Sequence, residues 1–475
     1  MKRGGAGLSD PLELSAGALS GLLARGELGV AELMRATLAR VTAVNGAVNA
    51  IVSLRDEGAL MAEAAAADEA PRKGWLHGIP IAVKNLTATA GIRTTWGSPL
   101  YADHVPAADD LLAAGLKAAG AIVIGKTNTP EFGLGSHSYN PVHGVTRNPY
   151  DLSRSAGGSS GGAGAALAAR MVSVADGSDV MGSLRNPAAW NNVYGMRPSH
   201  GLVPAESVGE MFLHRLFTMG PMARTPQDLA ALLETMAGPD PRQPIGADFV
   251  AGELHGDLAG KRIGWLGDWG GAYPTEPGIL DLSEAALGKL AELGAIVEIV
   301  APPFPAAAIW DSWITLRSWD IAGKHQANFD DPARRQVLKP ELIWEIETGL
   351  SHSLQDINRA GAIRSDWYRK AAQLFETYDA LVLPTAQVWP FPAEWHWPHE
   401  IAGQTMDTYH RWMEIVIPVG LIGLPCVNLP AGFGLQGLPG GVQLFGPRNA
   451  DRALLCMAQA YHAATDWPNV RPPAL

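Results

Sequence analysis

The chain is short of the groups that would tie it to several common partners. Among 475 residues there are two cysteines, Cys426 and Cys456. Neither belongs to a CxxC or another metal-ligand spacing, and two thiols cannot build a disulfide framework. That scarcity fits a reducing compartment, and a cytoplasmic protein is expected. Charged residues make up only 17%, no basic tract exists, and the net charge is -11. With nothing to neutralise phosphates, nucleic acid is not an expected partner. The first residues, Met1-Lys2-Arg3-Gly4-Gly5, are not followed by an apolar run, so no secretory signal is read. The longest uncharged stretch, 415–447, has the length of a bilayer span but is interrupted by Pro418, Pro425 and Pro430. A buried strand-and-turn segment is expected there instead, with no membrane span.

Hydrophobic residues reach 47%, enough for a large core. Residues 10–44 read as two amphipathic helices with Ser15 and Gly29 at their boundaries. A short apolar strand is expected over 79–83, a helix over 109–119 and a strand over 121–124. An alanine-rich helix over 160–169 and a strand over 171–175 follow. Strand, loop, helix and strand in this rhythm indicate an α/β layer fold with a mainly parallel sheet. Farther on, a helix is expected over 221–237, a proline- and glycine-rich linker over 238–260, and strands over 262–266 and 296–300 around a helix over 279–293. Residues 310–375 read as helical, and strands over 380–384 and 426–429 return to the sheet.

Three segments carry chemistry. The run Gly78-Ile79-Pro80-Ile81-Ala82-Val83-Lys84 ends an apolar strand on a lysine. A charged amine is costly among apolar neighbours, so its pKa falls and it can serve as a base. Ala121-Ile122-Val123-Ile124-Gly125-Lys126 has the same form, and composition does not choose between the two lysines. The loops Gly157-Gly158-Ser159-Ser160-Gly161-Gly162 and Gly177-Ser178-Asp179-Val180-Met181-Gly182-Ser183-Leu184-Arg185 offer serines beside glycines. A serine attacks only once a base takes its proton, and glycines let backbone N–H groups approach a substrate oxygen.

In this order, and with Gly125-Lys126-Thr127-Asn128-Thr129-Pro130-Glu131, Arg147-Asn148-Pro149, Leu383-Pro384-Thr385, Gly423-Leu424-Pro425 and Gly437-Leu438-Pro439-Gly440-Gly441-Val442-Gln443 downstream, the chain resembles the amidase signature family of serine hydrolases. The pattern runs over 76–224 and resumes from 378 to about 455. The resemblance implies one domain over 1–475: a central mixed, mostly parallel twisted β-sheet covered on both faces by helices. The core motif region is then 76–224, the part 378–475 completes the sheet, and 240–375 is a variable helical cover. It further implies a Ser–cisSer–Lys triad. Ser183 is the nucleophile, Ser159 the proton relay on a cis peptide bond after Gly158, and Lys84 the base. Backbone N–H groups of Val180, Met181, Gly182 and Ser183 form the oxyanion hole, with Ser160, Asp179 and Arg185 in support. No metal or organic cofactor is implied.

Two positions depart from the family pattern. Met181 stands where a glycine is common, and Asn85 where aspartate often follows the lysine. Loss of that charge would lower the pKa of Lys84. Tryptophan, at 15, outnumbers both tyrosine and phenylalanine. Met211, Phe212, Leu216 and Trp310 are assigned to an apolar substrate cleft. The expected substrate is a small hydrophobic amide, anilide or carbamate (urethane); a homodimer is left open. Three competing readings remain. Gly157-Gly158-Ser159-Ser160-Gly161 also fits a nucleophile elbow, which would make the protein an esterase attacking through Ser159 with a histidine at 396, 399, 410 or 462. His396 and His399 could suggest a metal pair, although Trp397 and Pro398 between them argue for a surface loop. A non-catalytic amide-binding protein on the same scaffold is favoured only by Met181.

Overall fold

The computed structural model of the protein describes residues 10–205 and 210–475, so the stretch 1–5 read above lies outside them. Ser15 starts the helix Ala16–Arg25 by accepting from the Ala18 N–H at 3.2 Å, and Gly26 ends it at φ 65°. Gly29 precedes the helix Val30–Val48 but has no side chain to cap it. Asp68, from the helix Glu57–Glu69, accepts from the N–H groups of Val30 and Ala31 instead. The helix expected over 221–237 is a strand, Thr218–Ala223, followed by a helix, Pro226–Met236. Thr225 is the real start signal: its hydroxyl accepts from the Asp228 N–H, and Pro226 occupies the first helical position.

Eight strands form the main sheet in the order Ile296–Ile299, Arg262–Trp265, Ala380–Pro384, Pro439–Phe445, Cys426–Phe433, Tyr194–Arg197, Thr218–Ala223, Val174–Asp179. The sheet is large, mixed and flanked by helices, and the fold is a single-domain α/β one. The expectation of mostly parallel pairing does not hold. Among the described residues, two neighbouring pairs of this sheet are parallel and five are antiparallel. A short connection accounts for one antiparallel pair: the turn 434–438 is too short for the crossover that a parallel pair needs. Nor is the region 240–375 only a helical cover, since two of its strands build one edge of the sheet. The stretch 238–260 joins no separate domains: Ala251, Leu254 and Leu258 are buried in the main core.

A second, three-stranded sheet holds Ile51–Val52, Ile122–Thr127 and Pro80–Lys84, the last two parallel with Lys84 opposite Thr127. It meets the main sheet at the edge strand Val174–Asp179, where the Asp176 carboxylate accepts the Lys84 backbone N–H at 2.9 Å. Among the described residues no helix is long and apolar enough to cross a membrane.

Of three helices, Ala306–Asp330, Pro340–Ser351 and Leu354–Leu374, the first packs on the other two, and Trp313 and Trp367 share a core with Leu381, Leu383 and Phe445 of the sheet. The first two cross where Gly349 meets the backbone of Ser318, and a Cβ at 349 would overlap the Ser318 carbonyl oxygen. Gly349→Ala is therefore expected to destabilise the protein by about 1–3 kcal/mol. Chemical denaturation of the purified variant checks this.

Candidate active site

Every residue of the strand Pro80–Lys84 is buried, and its last side chain is 1% exposed. The Lys84 amine donates to the hydroxyls of Ser159 at 2.8 Å, Ser160 at 2.9 Å and Ser178 at 3.0 Å. Burial pulls its pKa down to about 7, against the opposing charges of Asp176 and Asp179. The Gly158–Ser159 peptide bond is cis, and the helix Gly161–Ala168 follows. Ser160 ties the two glycine loops together, its N–H donating to the Ser183 carbonyl at 3.2 Å.

One carboxylate shapes the second loop. Asp179 accepts from the N–H groups of Gly182 (3.0 Å) and Leu184 (3.1 Å), and from the guanidinium groups of Arg185 (2.9 Å) and Arg197 (3.1 Å). Burial alone would raise this carboxyl; the two arginines outweigh it and hold it well below the usual carboxylate range. The left-handed backbone in the turn falls on Gly182, at φ 77°, while Met181 does not have positive φ. Gly182 is corrected as an oxyanion donor, because its N–H is already bonded to Asp179. Among the described residues the N–H groups of Val180, Met181 and Ser183 make no hydrogen bond.

Ser159, Ser178 and Ser183 open on one cavity of about 170 Å³, and no hydrogen bond joins the Ser159 and Ser183 hydroxyls among the described residues. A larger lobe of about 480 Å³ adjoins it, sharing Leu86, Phe132 and Phe217 in its lining. The helix Ala306–Asp330 faces the smaller lobe with Trp313, Arg317, Asp320 and Lys324, spaced to fall on one helical side. Behind them Glu345 binds Arg317 at 2.8 Å and also meets Tyr409 and His410. This side of the cavity is polar, not purely apolar as expected.

A family model described as Amidase matches residues 32–455. The chain belongs to the amidase signature family. It is 35% identical to a glutamyl-tRNA(Gln) amidotransferase subunit from Salinispora arenicola, over 98% of this chain and 100% of the relative. It is 32% identical to an acylamidase from Rhodococcus erythropolis, over 97% of each. Its fold superposes on a bacterial aryl acylamidase with a TM-score of 0.90 at 28% identity, over 98% of this chain and 100% of that one.

Within this amidase, the substrate-wall residues read from sequence divide. Met211 and Leu216 line the larger lobe. Phe212 does not: it is 59% exposed. The Glu210 carboxylate accepts from the N–H groups of Phe212, Leu213 and His214, holding a tight turn there with the ring outside. Trp310 also lines neither lobe and stacks on the Arg411 guanidinium at 3.7 Å; Trp313, a turn farther along, faces the cavity. Lys126 touches neither glycine loop, donating instead to the Thr87 carbonyl and the Thr89 hydroxyl. The Ser159 hydroxyl is held by Lys84 and by no histidine. His396 stacks on Tyr139, His399 packs on Trp397, His410 bonds Glu345 and His462 packs on Tyr194. Among the described residues no group of three or more His, Cys, Asp or Glu is placed to hold a metal. Asn85 exchanges hydrogen bonds with Thr95, bracing the loop after the lysine.

Sequence reasoning missed Ser178 as a partner of the lysine, Arg197 as the second clamp on Asp179, and the wall residues Trp313 and Arg317. Gly177 explains how three hydroxyls crowd one amine: a Cβ there would lie 2.6 Å from the Ser160 Oγ. Gly177→Ala is expected to displace that hydroxyl and slow labelling of the site by a fluorophosphonate by about 10²-fold, with near-UV circular dichroism unchanged. Asp179→Ala strands two buried arginines and should cost about 3–5 kcal/mol of stability, measured by urea unfolding.

Proposed function

We propose that this enzyme hydrolyses the C–N bond of a small amide, anilide or carbamate through an acyl-enzyme on Ser183, with Ser159 as relay and Lys84 as base. The observation that carries the reading is the buried Lys84 amine, 2.8 Å from the Ser159 Oγ, beside a cavity that Ser159 and Ser183 both line. Neutral Lys84 takes the Ser159 proton as Ser159 takes that of Ser183. The freed oxygen attacks the carbonyl carbon. Negative charge then develops on the carbonyl oxygen, where the N–H groups of Val180, Met181 and Ser183 are free to meet it; such a donor typically supplies about 3 kcal/mol. The relay runs backward to protonate the departing amine, and water repeats the attack to release the acid. A carbamate would leave an alkoxycarbonyl group on Ser183, which water converts to an alcohol and carbon dioxide.

The mixed wall, with Leu86, Phe132 and Trp313 beside Arg317 and Lys324, favours a substrate with an apolar body and a polar end. Both cysteines are unpaired, which supports work in the reducing cytoplasm. No homodimer and no cofactor is required by this chemistry. A second reading, a component of a glutamyl-tRNA amidotransferase, is favoured by the identity to the Salinispora protein. Hydrolysis assays across anilides, aryl amides, carbamates and glutamine discriminate the two; turnover of glutamine alone would overturn the first.

Lys84→Ala and Ser183→Ala are each expected to lower turnover by about 10²–10⁴-fold, and peptide mapping after fluorophosphonate treatment should find the label on Ser183. Label on Ser159 would support the elbow mechanism instead. Because the base must be uncharged, kcat/KM should rise as pH climbs through about 7 and level off above it.

A further inference from the structure

The smaller lobe is walled by an arginine with one edge to spare. Arg317 stands in the middle of the helix Ala306–Asp330, is 7% exposed, and lines the cavity that Ser159 and Ser183 also line. A buried guanidinium needs a partner. Glu345, wholly enclosed on the neighbouring helix Pro340–Ser351, supplies it. The Arg317 Nε donates to the Glu345 Oε2 at 2.8 Å, and Nη2 donates to Oε1 at 3.3 Å. The same carboxylate accepts the Tyr409 hydroxyl and lies 3.2 Å from the His410 Nε2, and both of those residues line the lobe. Arg317 is thus tied into a network and cannot swing away without stranding Glu345.

A guanidinium is planar and carries five N–H donors. The edge formed by Nε and Nη2 is spent on Glu345. No hydrogen bond reaches Nη1 among the described residues, and this nitrogen is not one of the unpartnered polar atoms sealed inside the protein. Its N–H groups are therefore open to the lobe. The other cation facing this space, Lys324, differs: its amine already donates to Asp320 at 2.8 Å, and its side chain is 31% exposed. Each cation has its own carboxylate, so this wall offers no uncompensated charge to an ionic substrate. What it lacks is an acceptor for Nη1.

We propose that Arg317 is a specificity-determining residue whose Nη1 donates to a neutral oxygen acceptor, a second carbonyl or an ether oxygen, carried by the substrate a few bonds from the carbonyl under attack. The lobe holds about 170 Å³, so an acceptor within it stays close to the reacting carbon. A guanidinium already fixed by Glu345 binds such an oxygen without ordering its own side chain anew. A hydrocarbon in the same place leaves the donors unbonded, which is the stronger ground for rejection. Glu345 is a positioning residue for that contact, because it holds the guanidinium and touches no part of the lobe itself.

The proposal rests on Ser183 as the attacking group and names the polar end of its substrate. Its test uses four fluorophosphonates on the full-length protein: one with a hexyl arm, and three in which the third, fourth or fifth carbon of that arm is a ketone. At least one ketone arm should label Ser183 faster than the hexyl arm by about 10- to 100-fold, and Arg317→Met should bring that ratio close to one. Damage to packing alone would slow all four arms alike and leave the ratio standing. If Arg317→Met does not fold, Arg317→Met combined with Glu345→Gln, which removes both buried charges, decides instead. Equal rates for all arms in the unaltered protein, or a ratio that survives the loss of Arg317, would overturn the proposal. An arm ending in a carboxylate that labels faster than every ketone would overturn the neutral class. No label with any arm would instead remove the nucleophile from the mechanism, a separate failure.

Discussion

Everything at this site depends on an amine held where it is costly to be charged. Water is excluded from Lys84 by the strand that carries it and by two glycine loops, and what replaces water is three hydroxyls. A hydroxyl is indifferent to whether its neighbour donates or accepts, so the shell tolerates the amine with or without its extra proton. That indifference is what a base needs: each state must be reachable at neutral pH without rebuilding the surroundings.

The glycines follow from that constraint. Three serines can crowd one nitrogen only where the backbone comes close, and Gly177 leaves the room that the Ser160 hydroxyl occupies. Gly182 turns the second loop in a left-handed conformation, which lets Asp179 reach the N–H groups of both Gly182 and Leu184. Arg185 and Arg197, from different elements, then fix the carboxylate that fixes the loop.

Much of this was legible in the residues alone. An apolar run ending in lysine, and serines set among glycines, are local patterns whose physical meaning survives folding. Ser159, Ser160 and Lys84 meet as expected, and the cis bond falls where the family pattern puts it. The misses are all non-local. Nothing in the residues around Phe212 announces that Glu210 will tie the turn and leave the ring in solvent. The spacing of Trp313, Arg317 and Lys324 marks one face of a helix but cannot say what that face looks at, well over a hundred residues from the serines. Pairing direction in the sheet was misjudged because helix–strand alternation does not fix it: the strands Val174–Asp179, Tyr194–Arg197 and Thr218–Ala223 pair antiparallel, and both parallel pairs lie in the second half, on Arg262–Trp265.

The Asp179 clamp also separates two tasks in the chain. The loop that carries the unbonded N–H groups of Val180, Met181 and Ser183 is set by buried ion pairs within 179–197. The helix Ala306–Asp330, which lines the adjoining cavity, contributes nothing to that clamp. Exchange of residues along the wall can thus redirect which molecules are accepted while the machinery for attacking them stays intact, so new preferences are open to this scaffold at little mechanistic risk.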